Sequence, residues 1–367
     1  MKMKFKAIIA LVLCGMMMTA CAGKATEQQI ENTDNVVTEV STVTIESNET
    51  SSNVTGAFEE GTEYSIEQNS SDIYYSFNPH VDVPLIHDSY GDDAWNSFYD
   101  LCDAVRDGDD GFACADEDTF RLCLDMMRAF FPGAYPYIDL NNSYFSDGIG
   151  YIVYLIPKNE VVEKEREFEQ EVENILRECV TKDYTDVEKC FALYDYIARN
   201  YGIDWEEDDV VTGKAEFSED HKSEDVGIRK GIMTRSGVCA EFSGVYTYLL
   251  LQCGVDAMTY GANGHRWSYV RINGNEYHID PTWGTTKNHT ANLTYFMMTD
   301  AERKANIKKR IFPLKFRYKY FNNCMSYSAV DERFQVLRGG TFLSMDTENK
   351  VVYYELGGET CEYHYDA

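Results

Sequence analysis

A thiol, an imidazole and a carboxylate follow one another in the second half of the chain. Cys239 lies in the segment Ser-Gly-Val-Cys-Ala-Glu-Phe, His265 begins the step His-Arg-Trp, and Asp280 precedes Pro-Thr-Trp. A cysteine that attacks a carbonyl carbon needs a base to take its proton, and the base works best when a third group orients it. These residue types, in this order, predict nucleophilic catalysis with Cys239 as the attacking group.

A helix is predicted to begin at Cys239, because the apolar residues that follow recur at the spacing of one helical stripe. They are Phe242, Val245, Tyr246, Leu249 and Leu250. In the first turn, free backbone N–H groups and the positive end of the helix dipole favour a thiolate over a thiol. The same N–H groups can donate to an oxyanion formed beside the sulfur. Gly237 is expected to allow a tight turn and the close approach of a substrate.

A hairpin is predicted between His265 and Asp280. Asn273-Gly274 is the strongest short-range signal for a two-residue turn, and the segments 268–272 and 275–279 on either side have the pattern of strands. With this turn, residue 272 pairs with residue 275, and every further pair across the strands follows from that register.

This register sets Asp280 opposite Trp267 and diagonal to His265, about 7–8 Å away between backbone positions and on the same face. A hydrogen bond between Asp280 and the imidazole is then feasible, and it would leave the other ring nitrogen to face Cys239. A slip of one residue would move Asp280 to the opposite face. His278, two residues before Asp280, is the rival base, and its place in the second strand makes it the weaker candidate.

Each of these residues also has a structural interpretation. A single cysteine in an apolar helix is usually a small buried hydrophobe, a histidine in a strand is usually structural, and an aspartate before proline is usually a turn residue. Because the three occur in a compatible order, and the register brings two of them together, we favour the catalytic interpretation.

The chain here resembles the transglutaminase-like superfamily, whose pattern is a Gly-x-Cys helix start, then His-x-Trp, then Asp-x-Thr-Trp. All three blocks occur in order within about residues 160–300, as Gly237-Val238-Cys239, His265-Arg266-Trp267 and Asp280-Pro281-Thr282-Trp283. The resemblance implies an α+β fold with a papain-like core, in which the nucleophile helix packs on an antiparallel β-sheet. It also implies Cys239 as nucleophile, His265 as general base and acid, and Asp280 as the residue that orients His265.

Three neighbouring side chains are expected to line the substrate groove. Trp267 and Trp283 flank the predicted catalytic residues, and Arg266 stands where the family often has a small residue. A fixed cation beside the site would repel a lysine ammonium, so it favours water over an amine as the acyl acceptor.

The favoured activity is therefore that of a cysteine peptidase or amidase, acting on peptide or side-chain amide bonds through an acyl-thioester. The alternatives are a protein-crosslinking acyltransferase and a cell-surface binding module that kept the fold without activity, since a fold does not fix a function. The expected substrate is a protein or the peptide of peptidoglycan, and no cofactor is expected.

The N-terminus predicts export and a lipid anchor. Three lysines precede the apolar run 7–18, and Met-Thr-Ala-Cys closes it, as in an export signal that ends in small residues. This step also resembles a bacterial lipobox, which implies that residues 1–20 are removed and that Cys21 becomes a lipidated first residue. About twelve apolar residues are too few to span a bilayer, which takes roughly twenty. We therefore expect a lipoprotein on the extracytoplasmic face of the cell membrane.

Composition and pattern divide the remaining chain into four parts. Residues 21–75 are polar and nearly free of aromatic side chains, so we expect a flexible tether. The other parts are an α/β flanking region over 76–158, the catalytic domain over 159–312 and a small β extension over 313–367, which is rich in tyrosine and has Gly-Gly turns.

Several local elements are also predicted. The flanking region should contain helices near 93–105 and 117–131 and a strand over 150–156. Thr185 and Glu188 form a capping box that opens a helix in the catalytic domain.

The net charge of -29 disfavours nucleic acid and anionic lipid head groups as partners. The acidic run 107–110 fails as an EF-hand, because Gly111 and Phe112 stand where a ligand and the turn glycine belong. No close cysteine or histidine spacing supports zinc, so no metal is expected.

Eight of the 11 cysteines remain once Cys14, Cys21 and Cys239 are set aside. An even number would allow disulfides outside the cell. Cys179, Cys190 and Cys253 lie on apolar helical faces, where buried free thiols are the simpler interpretation.

Overall fold

The computed structural model describes residues 73–262, 264–306 and 328–366. The predicted signal 1–20, Cys21 and the tether up to residue 72 lie outside these residues. Within them the fold is a mixture of helices and antiparallel sheets, with one short parallel strand pair. This agrees with the expected α+β class.

The first described elements combine three helices with a small sheet. The helices are α1 (Pro84–Tyr90), α2 (Asp92–Asp107) and α3 (Glu117–Phe130), and the strands are β1 (Gly111–Ala113), β2 (Tyr144–Ser146) and β3 (Ile149–Tyr151), in the antiparallel order β1-β3-β2. The two helices predicted in this region are confirmed. The predicted strand over 150–156 is too long, because beyond Tyr151 the chain leaves the ladder and pairs next through an isolated bridge from Tyr154 to Ile138.

Two long helices follow, α4 (Lys158–Cys179) and α5 (Asp186–Asn200). The capping box predicted for α5 is present: the Thr185 hydroxyl accepts from the Glu188 N–H at 3.3 Å, and the Glu188 carboxylate accepts from the Thr185 N–H at 2.6 Å. Because these bonds satisfy donors at the helix start, the local sequence fixes where α5 begins.

A parallel pair of short strands leads into the nucleophile helix. β4 (Gly202–Ile203) pairs with β5 (Ser236–Gly237), and between them in the chain come α6 (Trp205–Val211) and α7 (Ile228–Thr234). Helix α8 (Cys239–Gln252) then begins at Cys239, as predicted, and is buried without interruption from Glu241 to Gln252. The predicted apolar stripe is therefore buried together with the rest of the helix circumference.

Helix α8 packs on an antiparallel sheet of three strands. These are β6 (Asp256–Ala262), β7 (His265–Ile272) and β8 (Asn275–Ile279), in the order β6-β7-β8. The Ser268 hydroxyl donates to the Ser243 carbonyl at 3.1 Å, and the Thr247 hydroxyl donates to the Ser268 hydroxyl at 2.9 Å. Polar contacts thus fix the position of the helix along β7.

The chain then forms α9 (Pro281–Gly284), α10 (Asp300–Asn306) and an antiparallel meander of β9 (Thr341–Asp346), β10 (Val351–Leu356) and β11 (Glu359–His364). The meander packs on α5, since Phe342 stacks on Phe191 at 5.7 Å and Lys350 pairs with Glu188 at 2.9 Å. One cluster of buried apolar residues runs from Val81 to Tyr365. The predicted β extension therefore shares its core with the helices.

No helix within the described ranges has the length and apolar composition needed to cross a membrane. The eight cysteines in these ranges are all free thiols. Cys190 and Cys253 are buried and Cys179 is half-buried, which fits the simpler interpretation of these three residues.

Candidate active site

Cys239 is the first residue of α8 and is half-buried. Strand β5 delivers it: the Gly237 carbonyl accepts from the Asp204 N–H at 2.9 Å, beside the parallel pairing of β4 and β5. The side chain of the N-cap residue, Val238, makes no capping hydrogen bond. The first-turn N–H groups are therefore not occupied by a capping side chain, as an oxyanion site requires.

Gly237 lies close against the first turn of α8. A Cβ atom at this position would lie 2.3 Å from the Cβ of Glu241, one turn into the helix. The buried Glu241 carboxylate in turn accepts from the N–H groups of Val238 at 3.0 Å and Gly227 at 2.6 Å. The glycine makes room for this internal brace, and its predicted role in admitting a substrate stays a prediction.

The predicted hairpin has the predicted register. Ile272 pairs with Asn275, and the ladder continues to Ser268 opposite Ile279. Asn273 and Gly274 have φ angles of 51° and 79°, the left-handed values that a tight two-residue turn between strands needs. Local turn chemistry therefore determines which residues face each other at the end of the sheet.

This register brings His265 and Asp280 into contact. The Nε2 atom of His265 lies 2.7 Å from the Oδ2 atom of Asp280, at the end where β8 leaves the sheet. Because the carboxylate accepts, Nε2 carries a hydrogen, and Nδ1 is the ring nitrogen that Asp280 does not bind. Nδ1 is thus the nitrogen left to take a proton from a thiol.

Cys239 is close enough to His265 to affect the pKa of the imidazole. Burial alone lowers the pKa of His265, but the negative charge of Asp280, the hydrogen bond to it and the hydrogen bond and charge of Cys239 raise that pKa to about 9. The structure therefore brings the three predicted catalytic residues together, in the order Cys239, His265, Asp280.

Asp280 is fully buried and accepts three hydrogen bonds. They come from His265, from the Trp283 N–H at 3.1 Å and from Nη1 of Arg303 at 2.8 Å. Burial raises the pKa of the carboxyl, but His265, Arg303 and the Trp283 N–H outweigh it and hold the pKa below its ordinary value. Asp280 is therefore an anion inside the protein.

Arg303 is the residue of this site that the sequence did not reveal. It lies on α10, 1% exposed, with its Cζ atom 3.9 Å from the ring centroid of Trp267 and 4.9 Å from that of Trp283. Its segment, Asp-Ala-Glu-Arg-Lys-Ala-Asn, has the composition of a solvated helix. Nothing in that pattern marks one cation as buried, because only the tertiary fold places it against Asp280.

The two tryptophans expected in the groove behave differently. Trp283 is half-buried and stacks on the ring of His265 at 4.4 Å and 12°. Trp267 is 0% exposed, so the expectation that it lines an open groove is wrong. Its indole N–H instead donates to Nδ1 of His278 at 2.9 Å.

His278 supports the site from inside the protein. With Nδ1 accepting from Trp267 and Nε2 lying 2.8 Å from Asp300, both ring nitrogens are engaged. Burial lowers the pKa of His278, which keeps the ring neutral. The rival base is thus occupied in holding Trp267 and does not reach Cys239 with a free nitrogen.

Arg266 is half-buried, and its Cγ atom lies over Gly261 on the neighbouring strand. Since neighbouring residues of a strand point to opposite faces, its side chain leaves the sheet on the face opposite His265. Ser268, two residues further along β7, lies on that same face and contacts α8, so Arg266 leaves the sheet on the side where α8 packs.

No group of three histidine, cysteine, aspartate or glutamate side chains in the described ranges is arranged to hold a metal ion. No protein-family model matches the chain, and no curated protein sequence matches it. The link to the transglutaminase-like superfamily thus remains a resemblance in three short motifs.

Proposed function

We propose that the protein is a transglutaminase-like cysteine enzyme with a papain-like core, which cleaves peptide or side-chain amide bonds through an acyl-thioester. The observation that carries this proposal is the 2.7 Å bond between His265 and the buried Asp280, with the half-buried Cys239 at a helix start near enough to affect the pKa of the same ring. A cysteine nucleophile needs this combination of base and orienting group.

In the proposed reaction, Nδ1 of His265 first takes the thiol proton, which forms a thiolate–imidazolium pair, and the Cys239 sulfur then attacks the amide carbon. The carbonyl oxygen becomes an oxyanion beside the first-turn N–H groups of α8. The imidazolium then gives its proton to the departing amine as the C–N bond breaks, which leaves an acyl-thioester. His265 next removes a proton from water as the hydroxide adds to the thioester carbon, the C–S bond breaks to release the acid, and the proton on His265 returns to the sulfur.

Hydrolysis is the proposed outcome because water can reach the thioester. Cys239 is half-buried, and the side chain of His265 is 16% exposed. A transferase must exclude water from this position while admitting an amine. Amine transfer is the competing outcome that the experiment below has to separate.

The proposed location is the extracytoplasmic face of the cell membrane, with a lipid on Cys21 as the anchor. The support is the export signal and lipobox-like step in the sequence. In that place the available amide substrates are surface proteins and the stem peptides of peptidoglycan.

The test is a panel of peptidoglycan stem peptides and surface proteins, incubated with the enzyme with and without a fluorescent primary amine in millimolar excess. Mass spectrometry would follow free acid, amine adduct and acylated Cys239. We expect free acid to dominate and both products to vanish in Cys239→Ala and His265→Ala. Amine adducts that outrun free acid would make the protein an acyltransferase with the same catalytic residues.

The alkylation rate of Cys239 distinguishes the proposed enzyme from a binding module without activity. The proposal requires Cys239 to react with iodoacetamide near neutral pH far faster than a model thiol, with the excess lost in His265→Ala. The buried thiols Cys190 and Cys253 provide internal controls in the same digest. A Cys239 rate equal to that of the model thiol would favour the binding module.

A further inference from the structure

A buried cation shares one carboxylate oxygen with the proposed base. Nη1 of Arg303 lies 2.8 Å from the Oδ2 atom of Asp280, and Nε2 of His265 lies 2.7 Å from the same atom. Arg303 and Asp280 are 1% and 0% exposed, so water does not screen the pair. The imidazole and the guanidinium thus compete for the same negative charge.

Two aromatic rings hold this guanidinium in place by stacking. It stacks on Trp267 at 3.9 Å and on Trp283 at 4.9 Å, and Trp283 stacks in turn on His265 at 4.4 Å. Nε and Nη2 of Arg303 find no hydrogen-bond acceptor within the described residues. The side chain is therefore held by ring stacking and by the single bond to Asp280.

The positive charge of Arg303 acts in opposite directions on the ionisation of Asp280 and of His265. Placing a cation in the interior is unfavourable unless an anion compensates it, so Arg303 requires Asp280 to be ionised. The same positive charge disfavours protonation of His265, which bonds the same oxygen of Asp280. The other titratable groups that face the guanidinium are Cys239, Tyr295 and His278.

We propose that Arg303 is a positioning residue of the active site: it keeps Asp280 ionised and aimed at His265, and it limits how tightly His265 holds its proton. This inference rests on the proposed function, because it assigns Arg303 a task in that reaction. A base without this restraint would keep its proton too firmly to pass it to the leaving amine.

The test compares a neutral and a charged replacement. Arg303→Gln keeps a hydrogen-bond donor without the charge, and Arg303→Lys keeps the charge without the planar donor group. The matched control is Arg338→Met, which removes an arginine that pairs with Glu302 of the same helix at 2.7 Å and does not contact Asp280. Each change is made in the Cys239→Ala background, and NMR follows the titration of the His265 ring.

We expect Arg303→Gln to raise the titration midpoint of His265 by roughly one pH unit relative to its parent. Arg303→Lys should restore the midpoint, and Arg338→Met should lower the thermal midpoint while leaving the titration unchanged. With Cys239 restored, and on whichever substrate the panel identifies, Arg303→Gln should lower kcat at least about tenfold with little change in KM.

A folded Arg303→Gln variant in which His265 titrates like its parent would overturn the inference. If that variant does not fold, the test rests on Arg303→Lys. A folded lysine variant in which the His265 midpoint is raised would show that the charge of Arg303 does not set the titration, and it would overturn the inference. The titration needs no turnover. Loss of the proposed function, shown by unchanged products in Cys239→Ala, is therefore distinguishable from failure of the Arg303 assignment.

Discussion

Asp280 connects two ionised side chains, which makes it more than the orienter of an imidazole. It binds His265 at 2.7 Å and Arg303 at 2.8 Å while fully buried. A change at this carboxylate therefore affects both the tautomer of the base and the compensation of a buried cation. Turnover and stability are coupled at one residue.

Asp280→Asn should lower kcat by about 10²–10⁴-fold, because an amide can stabilise the wrong imidazole tautomer. It should also cost about 3–5 kcal/mol of unfolding free energy, since Arg303 loses its counter-ion. Steady-state kinetics and urea unfolding would measure the two effects.

Asp300→Asn is the matched control, because Asp300 bonds His278 at 2.8 Å in a second histidine–aspartate pair. It should leave the chemistry at Cys239 largely intact. Near-normal turnover in Asp280→Asn, or an equal loss in Asp300→Asn, would contradict the assigned roles.

The raised pKa of His265 predicts a pH limit for activity. The leaving amine needs the imidazolium proton, so kcat/KM should fall as the pH rises through about 9. The same shift stabilises the fold fully below the ordinary histidine value of about 6.5 and ceases to do so above the folded value. A pH–rate profile and unfolding at several pH values would test this, and an alkaline limb that stays flat would contradict it.

At the scale of elements, the start of α8 depends on one close approach. Gly237→Ala would place a Cβ atom 2.3 Å from Glu241, so the first turn must shift. We expect a loss of about 1–3 kcal/mol in stability and slower alkylation of Cys239. Gly202→Ala, on the paired strand, is the control because a Cβ there meets nothing within 4 Å. Equal behaviour of the two variants would mean that the brace does not position the nucleophile.

Helix α4 carries a buried carboxyl group whose oxygens find no hydrogen-bond partner in the described residues, Glu165. Burial and the charge of Glu169 raise the pKa of Glu165 to about 8, although the charges of Arg229 and Arg106 lower it. The folded state therefore holds a proton that the unfolded state releases at its ordinary value of 4.5, and stability should fall as the pH rises between these values.

Glu165→Gln should remove this dependence and stabilise the protein above pH 8 by on the order of a few kcal/mol. Unfolding in urea at several pH values would measure it. Glu167→Gln, exposed on the same helix, should keep the pH slope of the parent. A parent whose stability does not change between these pH values would show that Glu165 is not protonated in the fold.

These elements show which parts of the site a sequence can reveal. The Asn-Gly turn and the capping box are local, so their residues dictate a register and a helix start that the structure reproduces. The burial of Trp267 and Arg303 depends instead on α10 folding back over β8, and no local pattern encodes that contact. The sequence therefore predicted which residues are close to Asp280 through the hairpin, and missed the one that reaches it from a distant helix.

At the scale of the whole molecule, the flanking regions share the core with the proposed catalytic elements. Phe191 on α5 stacks on Phe296 at 4.1 Å and on Phe342 of the C-terminal meander at 5.7 Å. Domain boundaries predicted from composition do not reveal such packing, because composition shows where polarity changes along the chain and does not show which elements pack together. The predicted boundary at 158 thus describes a change along the chain, and the one at 312 lies outside the described residues.

The proposed membrane anchor concerns the whole protein, and the proposal depends on Cys21, which lies outside the described residues. Cys21→Ser should abolish lipidation and either release the protein from the membrane fraction or block its processing, since the predicted signal is too short to hold it as a spanning helix. Fractionation and intact mass would measure both. Cys14→Ser is the matched control, because it changes a cysteine inside the apolar run without altering the lipobox-like step. Membrane retention with normal processing in Cys21→Ser would contradict the anchor, and it would leave the proposed chemistry at Cys239 untouched.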